Sequence, residues 1–128
     1  MITSSSDQAD NLPLYLVVYQ YQQYLYNLIH HFPKAYKYTL GQNILDLNWQ
    51  LLDLIVVANS LPNTQKPPSI QKASSTFDQC KFRLKMAYDL KLIPPTKYAY
   101  IITVHEKTGK MLTGWLKWAK RQNTASKP

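Results

Sequence analysis

An all-α fold, an antiparallel up-down-up-down four-helix bundle, is predicted by three features of the sequence. Apolar residues recur at three- and four-residue spacing through four stretches, proline clusters separate those stretches, and the strict apolar–polar alternation of a sheet is absent. The chain of 128 residues fits one domain, and 45% hydrophobic with 12% aromatic residues supplies apolar surface for a core. No repeat recurs at a longer fixed period, which argues against a solenoid.

Residues 1–12 are mostly polar, carry Asp7 and Asp10, and are expected to form a disordered arm. Acids there have the wrong sign for a secretory signal. The first helix is expected over residues 13–31, with Pro13 suited to its first turn and Pro33 beyond its end. Leu14, Val17, Val18, Tyr21, Leu25, Leu28 and Phe32 share one face, while Tyr15, Tyr19 and Tyr26 lie off it. The second helix is expected over residues 39–60, with Thr39 as its N-cap. Its main stripe runs from Leu40 and Ile44 through Leu51 and Ile55 to Ala58. A second row, Leu45, Trp49, Leu52 and Val56, lies about 100° further round. A helix apolar over so much of its circumference is expected to be buried on several sides.

Three prolines within residues 61–69 mark a loop. The third helix is expected over residues 69–93, with Ala73, Phe77, Cys80, Leu84, Ala87 and Tyr88 facing inward. Phe82, Met86, Leu90 and Ile93 form a second row on nearly the opposite side. Pro94-Pro95 ends that helix and opens the fourth, over residues 95–121. Tyr98, Ile101, Ile102, His105, Leu112, Leu116 and Ala119 are its inward candidates. Gly109 and Gly114 each cost roughly 1 kcal/mol against Ala inside a helix, which points to close approach by another helix. Residues 122–128 are expected to be a frayed tail.

The surplus apolar faces predict self-association, with Phe82, Met86, Leu90 and Ile93 as the oligomer interface. Charge supplies a second clue. Residues 1–60 hold two lysines against four aspartates, a net of −2, whereas residues 61–128 hold 13 bases against three acids, a net of +10; together they give +8. A basic excess confined to one half points to a polyanion, because each neutralised phosphate releases condensed counterions. Lys81 and Lys85 share a face of the third helix. Lys107, Lys110, Lys117 and Arg121 fall within about 80° of one another on the fourth, and Lys120 extends the row. These seven residues are the candidate nucleic-acid contacts, holding phosphates without reading sequence. Trp115 and Trp118 border them and offer rings on which unpaired bases can stack.

Catalytic arrangements are poorly supported. Asp46 and Asp53 are seven residues apart, about 10 Å along a helix, too far to form one acid pair. His30 and His31 diverge, no metal-ligand spacing surrounds them, and Cys80 falls on an inward stripe with no histidine in sequence to activate it. A single Cys excludes a disulfide within the chain. A non-enzymatic protein without metal or cofactor is expected. No run reaches the roughly 18–20 apolar residues of a membrane span, so a soluble, cytoplasmic protein without a membrane partner is expected.

Three segments carry a resemblance to a known family. Gly109-Lys110-Met111-Leu112-Thr113-Gly114-Trp115-Leu116-Lys117 resembles the Gly-basic-apolar-Leu-small-small-Trp-Ile/Leu signature in the last helix of Avd proteins. These are the accessory variability determinants of diversity-generating retroelements. Phe32-Pro33-Lys34 through Tyr38-Thr39-Leu40-Gly41-Gln42 resembles the link between their first two helices, and residues 81–93 resemble their third-helix motif. The resemblance covers about residues 13–121. The wider family includes the four-helix-bundle proteins encoded by intervening sequences of ribosomal RNA genes.

The resemblance implies a homopentameric barrel of bundles with a basic surface. It further implies binding to the retroelement's reverse transcriptase and to RNA or DNA, in support of mutagenic reverse transcription, without catalysis. Lys81 and Lys85 stand where relatives carry basic residues, often Arg, and Lys110 matches the base after the motif glycine. Arg83 stands where relatives tend to be apolar, and the proline-rich loop between the second and third helices departs from the family's compact one. A generic interaction bundle of the intervening-sequence type, without a reverse transcriptase partner, is the alternative.

Overall fold

Proline placement opens the first element as the sequence predicts. In the computed structural model, which describes residues 12–125, α1 spans Leu14–His30 and the Pro13 carbonyl accepts from the amides of Leu16 and Val17. The expected N-terminal arm lies outside the described residues except for Leu12. After Pro33, a helical turn at Lys34–Tyr36 passes through a π-helical stretch, Lys37–Gly41, into α2, Gln42–Ser60. Helical backbone therefore begins five residues ahead of Thr39, which is no N-cap; its hydroxyl donates to the Ala35 carbonyl at 2.9 Å. Gly41 is where the chain is tightest. A Cβ there would stand 2.6 Å from Ile29 Cγ2, so only glycine lets the link lie against α1.

A short 3-10 turn, Asn63–Gln65, leads into α3, Lys66–Asp89. The helix starts three residues earlier than expected because Pro67 and Pro68 sit in its first turn, where no amide is needed. Lys66 is buried, and its Nζ donates to the carbonyls of Ala58 (2.7 Å) and Asn59 (3.1 Å) at the end of α2. A cation is thereby held at the negative end of that helix.

The other end of α3 comes early too. The Leu92 amide donates to the Ala87 carbonyl and the Lys91 amide to that of Tyr88, both at 2.9 Å, while Lys91 takes φ 64°. This is a Schellman closure with lysine in the left-handed position. It turns the chain back, so Ile93 leaves the outer row on which the sequence placed it. At 2% exposure it packs into the core with Leu84 and Ile101, and it is not part of an exposed interface.

The last helix, α4, spans Pro95–Ala125. Asn123 Nδ2 donates to the Asn63 carbonyl at 3.0 Å, tying this end to the link between α2 and α3. Residues 122–125 are thus helix rather than frayed tail, and residues 126–128 lie outside the described residues.

Pairs across the seams fix the topology. Gln22 meets Leu45 and Asn48, Cys80 meets Ile44, Tyr88 stacks on Tyr98, and Tyr21 meets His105. Each helix is antiparallel to the one before it, and α4 closes against α1. The core runs along the axis in three clusters, centred on Leu25 and Ile44, on Leu51 and Phe77, and on Ile70 and Ala119. Burial of α2 on several sides holds only in part: Leu45 and Leu52 are buried, while Trp49 and Val56 are exposed. Tyr15, Tyr19 and Tyr26 of α1 are exposed as well, and Trp49 Nε1 donates to Tyr26 Oη at 3.0 Å.

Candidate nucleic-acid interface

A groove of about 1060 Å³ runs between α3 and α4. Lys81 and Lys85 stand on its α3 side, and Lys110 and Lys117 on its α4 side. Four of the seven basic residues singled out from the sequence are thus gathered around one depression. Lys107, half-buried, and Lys120 and Arg121, exposed further along α4, are not among its lining.

The two α3 lysines are engaged. Lys81 pairs with Asp78 at 3.2 Å, and its ammonium lies 4.7 Å from the centre of the Phe77 ring. Lys85 donates to both carboxylate oxygens of Asp89 at 2.8 Å, and that bond raises its pKa. Lys110 and Lys117 form no ion pair among the described residues. Asp78 and Glu106 also line the groove and Asp89 holds Lys85, so four cations stand against three carboxylates.

Its lining is more apolar than polar. Phe82, at 75% exposed, and Ile102 face solvent along it; Ile102 had been expected to point inward. Gly109 and Gly114 line it as well. A Cβ on Gly109 would meet only the Phe77 ring, at 3.7 Å, and one on Gly114 nothing within 4 Å. The close helix approach expected at these glycines is therefore not what they serve within the chain. Met86 and Leu90 continue the exposed row from Phe82. Trp115 is half-buried against the core, whereas Trp118 is exposed.

The acids, Ile102 and the two glycines were the part of this site that the sequence did not assign. One signal was present: glycines costly to a helix, at positions where the lysine row also runs.

Two buried titratable groups, one of them in the groove, are held in their neutral forms. His105 lies at its base, buried, with a pKa lowered to about 4 by burial and then by the charge of Lys81. Burial pushes the Cys80 thiol up to about 12, so it carries no thiolate near neutral pH. Among the described residues no three His, Cys, Asp or Glu side chains are grouped to hold a metal ion, and no helix is long and apolar enough to cross a membrane.

Fold and groove together define a helical bundle with a lysine-lined cleft between its last two helices. The sequence profile of the bAvd-like family matches residues 16–119, and the chain belongs to that family, whose members are accessory, non-catalytic proteins. No curated protein and no solved structure matches the chain.

Proposed function

We propose that this protein is a non-enzymatic accessory factor of a diversity-generating retroelement, binding nucleic acid and the element's reverse transcriptase to support mutagenic reverse transcription. The observation that carries the reading is the convergence of Lys81, Lys85, Lys110 and Lys117 on one groove in a chain of the bAvd-like family. Ammonium groups on two facing helices offer point charges to successive phosphates without reading base identity. Copies of the chain associate through apolar surface that one bundle leaves uncovered: the row Phe82, Met86 and Leu90, and the aromatic stripe of α1 and α2. A ring of copies multiplies weak lysine patches into avid binding.

Charge reversal tests the site. Lys110→Glu with Lys117→Glu is the cleaner pair, because neither lysine is engaged by a carboxylate; Lys81→Glu with Lys85→Glu is the companion. Each pair is expected to weaken RNA binding and to lower the slope of log K against log salt by roughly 2. Unchanged binding in both double variants refutes the assignment. Co-purification with the reverse transcriptase of the neighbouring retroelement and its template RNA tests the partner, and recovery of the protein without either refutes it.

A further inference from the structure

We propose that residues 1–11 lie along the C-terminal half of α4 and cover its basic row, so that the chain's own acidic arm competes with a polyanion for those cations. The seating rests on charge and position; the competition rests on the nucleic-acid reading above. Charge is complementary. The arm holds Asp7 and Asp10 and no lysine or arginine. From Lys107 onward the sequence holds bases and no acid, with Lys110, Lys117, Lys120 and Arg121 all on α4. Those four make no ion pair among the described residues.

Position brings the two together. Where the described residues begin, Leu12 is half-buried, and Pro13 and Tyr15 line a pocket of about 510 Å³ with Asn59, Lys110, Gly114 and Trp115. The arm therefore starts beside Lys110. Its direction follows from antiparallel packing. Tyr21 of α1 meets His105 of α4, and Pro13, at the head of α1, stands by Lys110 and Trp115. A chain carried past Pro13 in that direction runs toward Lys117 and Arg121. Lengths agree as well. Counted from Pro13, extended chain puts Asp10 about 10 Å and Asp7 about 20 Å away. Counted from Lys110 along α4, Lys117 is about 10 Å and Arg121 about 16 Å away. Between Lys110 and Lys117, Gly114 presents no side chain, and a Cβ built there meets nothing within 4 Å, so a backbone can rest against α4 at that point. Exposed ion pairs are individually weak and screened by salt, so a strand with many phosphates displaces such an arm.

The test has two arms, both on the full chain. A water-soluble carbodiimide joins a carboxylate to an amine where the two touch, and Lys85 with Asp89, in contact at 2.8 Å, is the internal control. Peptide mass mapping is expected to find Asp7 or Asp10 joined to Lys110, Lys117 or Lys120, in a product of one chain's mass on a denaturing gel. In the second arm, Asp7→Asn with Asp10→Asn is expected to bind a labelled 12-nucleotide single-stranded RNA about fivefold more tightly than wild type, the worth of two exposed ion pairs. Asp46→Asn with Asp53→Asn makes the same charge change on exposed positions of α2 and is expected to leave affinity at the wild-type value. The control link alone, with none to α4, overturns the seating. An arm-to-α4 link found only in a product of two chains' mass puts the arm on a neighbouring copy and overturns it too. Links to α4 with RNA affinity unchanged by Asp7→Asn and Asp10→Asn, or raised equally by both Asn pairs, overturn the competition. Links to α4 in a protein that binds no RNA in any form uphold the seating and overturn the nucleic-acid reading.

Discussion

His105 lies between the rings of Tyr21 and Phe77, edge-on to each, and its Nε2 pairs with Tyr21 Oη at 2.8 Å. The inward facing was legible from helical spacing; the hydroxyl partner 84 residues away was not. Burial holds the imidazole neutral, with a pKa of about 4 against an ordinary 6.5. As pH falls, the unfolded chain takes up this proton first, so the stabilisation is complete above about 6.5 and is lost down to about 4. Unfolding by urea at pH 7.5 and pH 4.5 is expected to show wild-type stability falling by up to about 1.4 kcal/mol per pH unit within that window. His105→Gln flattens the dependence. A second buried pair was missed altogether. Asn48 Nδ2 donates to Gln22 Oε1 at 2.8 Å and Gln22 Nε2 to the Leu45 carbonyl at 3.1 Å, while Asn48 Oδ1 has no partner. Helical phase held the signal, since Gln22 is four residues past Val18 and Asn48 four past Ile44, but a polar side chain on an apolar stripe is easily passed over. Gln22→Leu alone is expected to cost about 1–3 kcal/mol by leaving Asn48 unmatched, and Gln22→Leu with Asn48→Leu to recover most of it. Calorimetric melting of the two variants checks this.

At the scale of the element, the middle of each helix was readable, and the ends that were not are the start of α2, both ends of α3 and the end of α4. Apolar spacing is set by the core and repeats over many residues, so Leu25, Leu51, Leu84 and Ile101 are buried as expected. Ends depend on single residues whose chemistry has two readings. Pro67-Pro68 reads as a breaker from outside and as a first turn from inside. Lys91 reads as a surface lysine yet adopts φ 64°, where a Cβ is strained. Lys91→Gly is therefore expected to raise stability by about 0.5–1 kcal/mol, seen as a higher melting temperature with unchanged helicity. Gly41→Ala is expected to lower it by about 1–3 kcal/mol, because the new methyl meets Ile29 within a packed seam. Equal melting of Gly41→Ala and wild type would show that the seam is looser than the distances say.

Across the whole molecule, the basic excess lies on the second helix pair, while exposed apolar and aromatic side chains lie on both. From residue 12 to Ser60, the stretch that forms α1 and α2, two lysines balance two aspartates, while α3 and α4 carry the basic excess. Exposed Tyr15, Tyr19, Tyr26, Trp49 and Val56 lie on the first pair, and the lysine groove lies between the second. Self-association through the exposed apolar surface predicts a particle whose mass is a multiple of the 14.9 kDa chain. Tyr19→Glu with Val56→Glu is expected to bring that mass down toward one chain in light scattering, with helicity intact. Wild-type protein already at one chain's mass at micromolar concentration removes this expectation. The sequence made the surplus of apolar surface visible, but the number of copies comes from family resemblance, because hydrophobic spacing reports what is covered and not how a ring closes.

Cys80 is the chain's lone cysteine, sealed at 1% exposure with its Sγ 3.9 Å from the Ile44 carbonyl across the seam of α2 and α3. An alkylating reagent therefore reaches sulfur only while that seam is parted, and the rate of adduct formation becomes a built-in clock for its opening. Run with and without an oligonucleotide, the same clock weighs how strongly a bound strand holds the wild-type molecule shut.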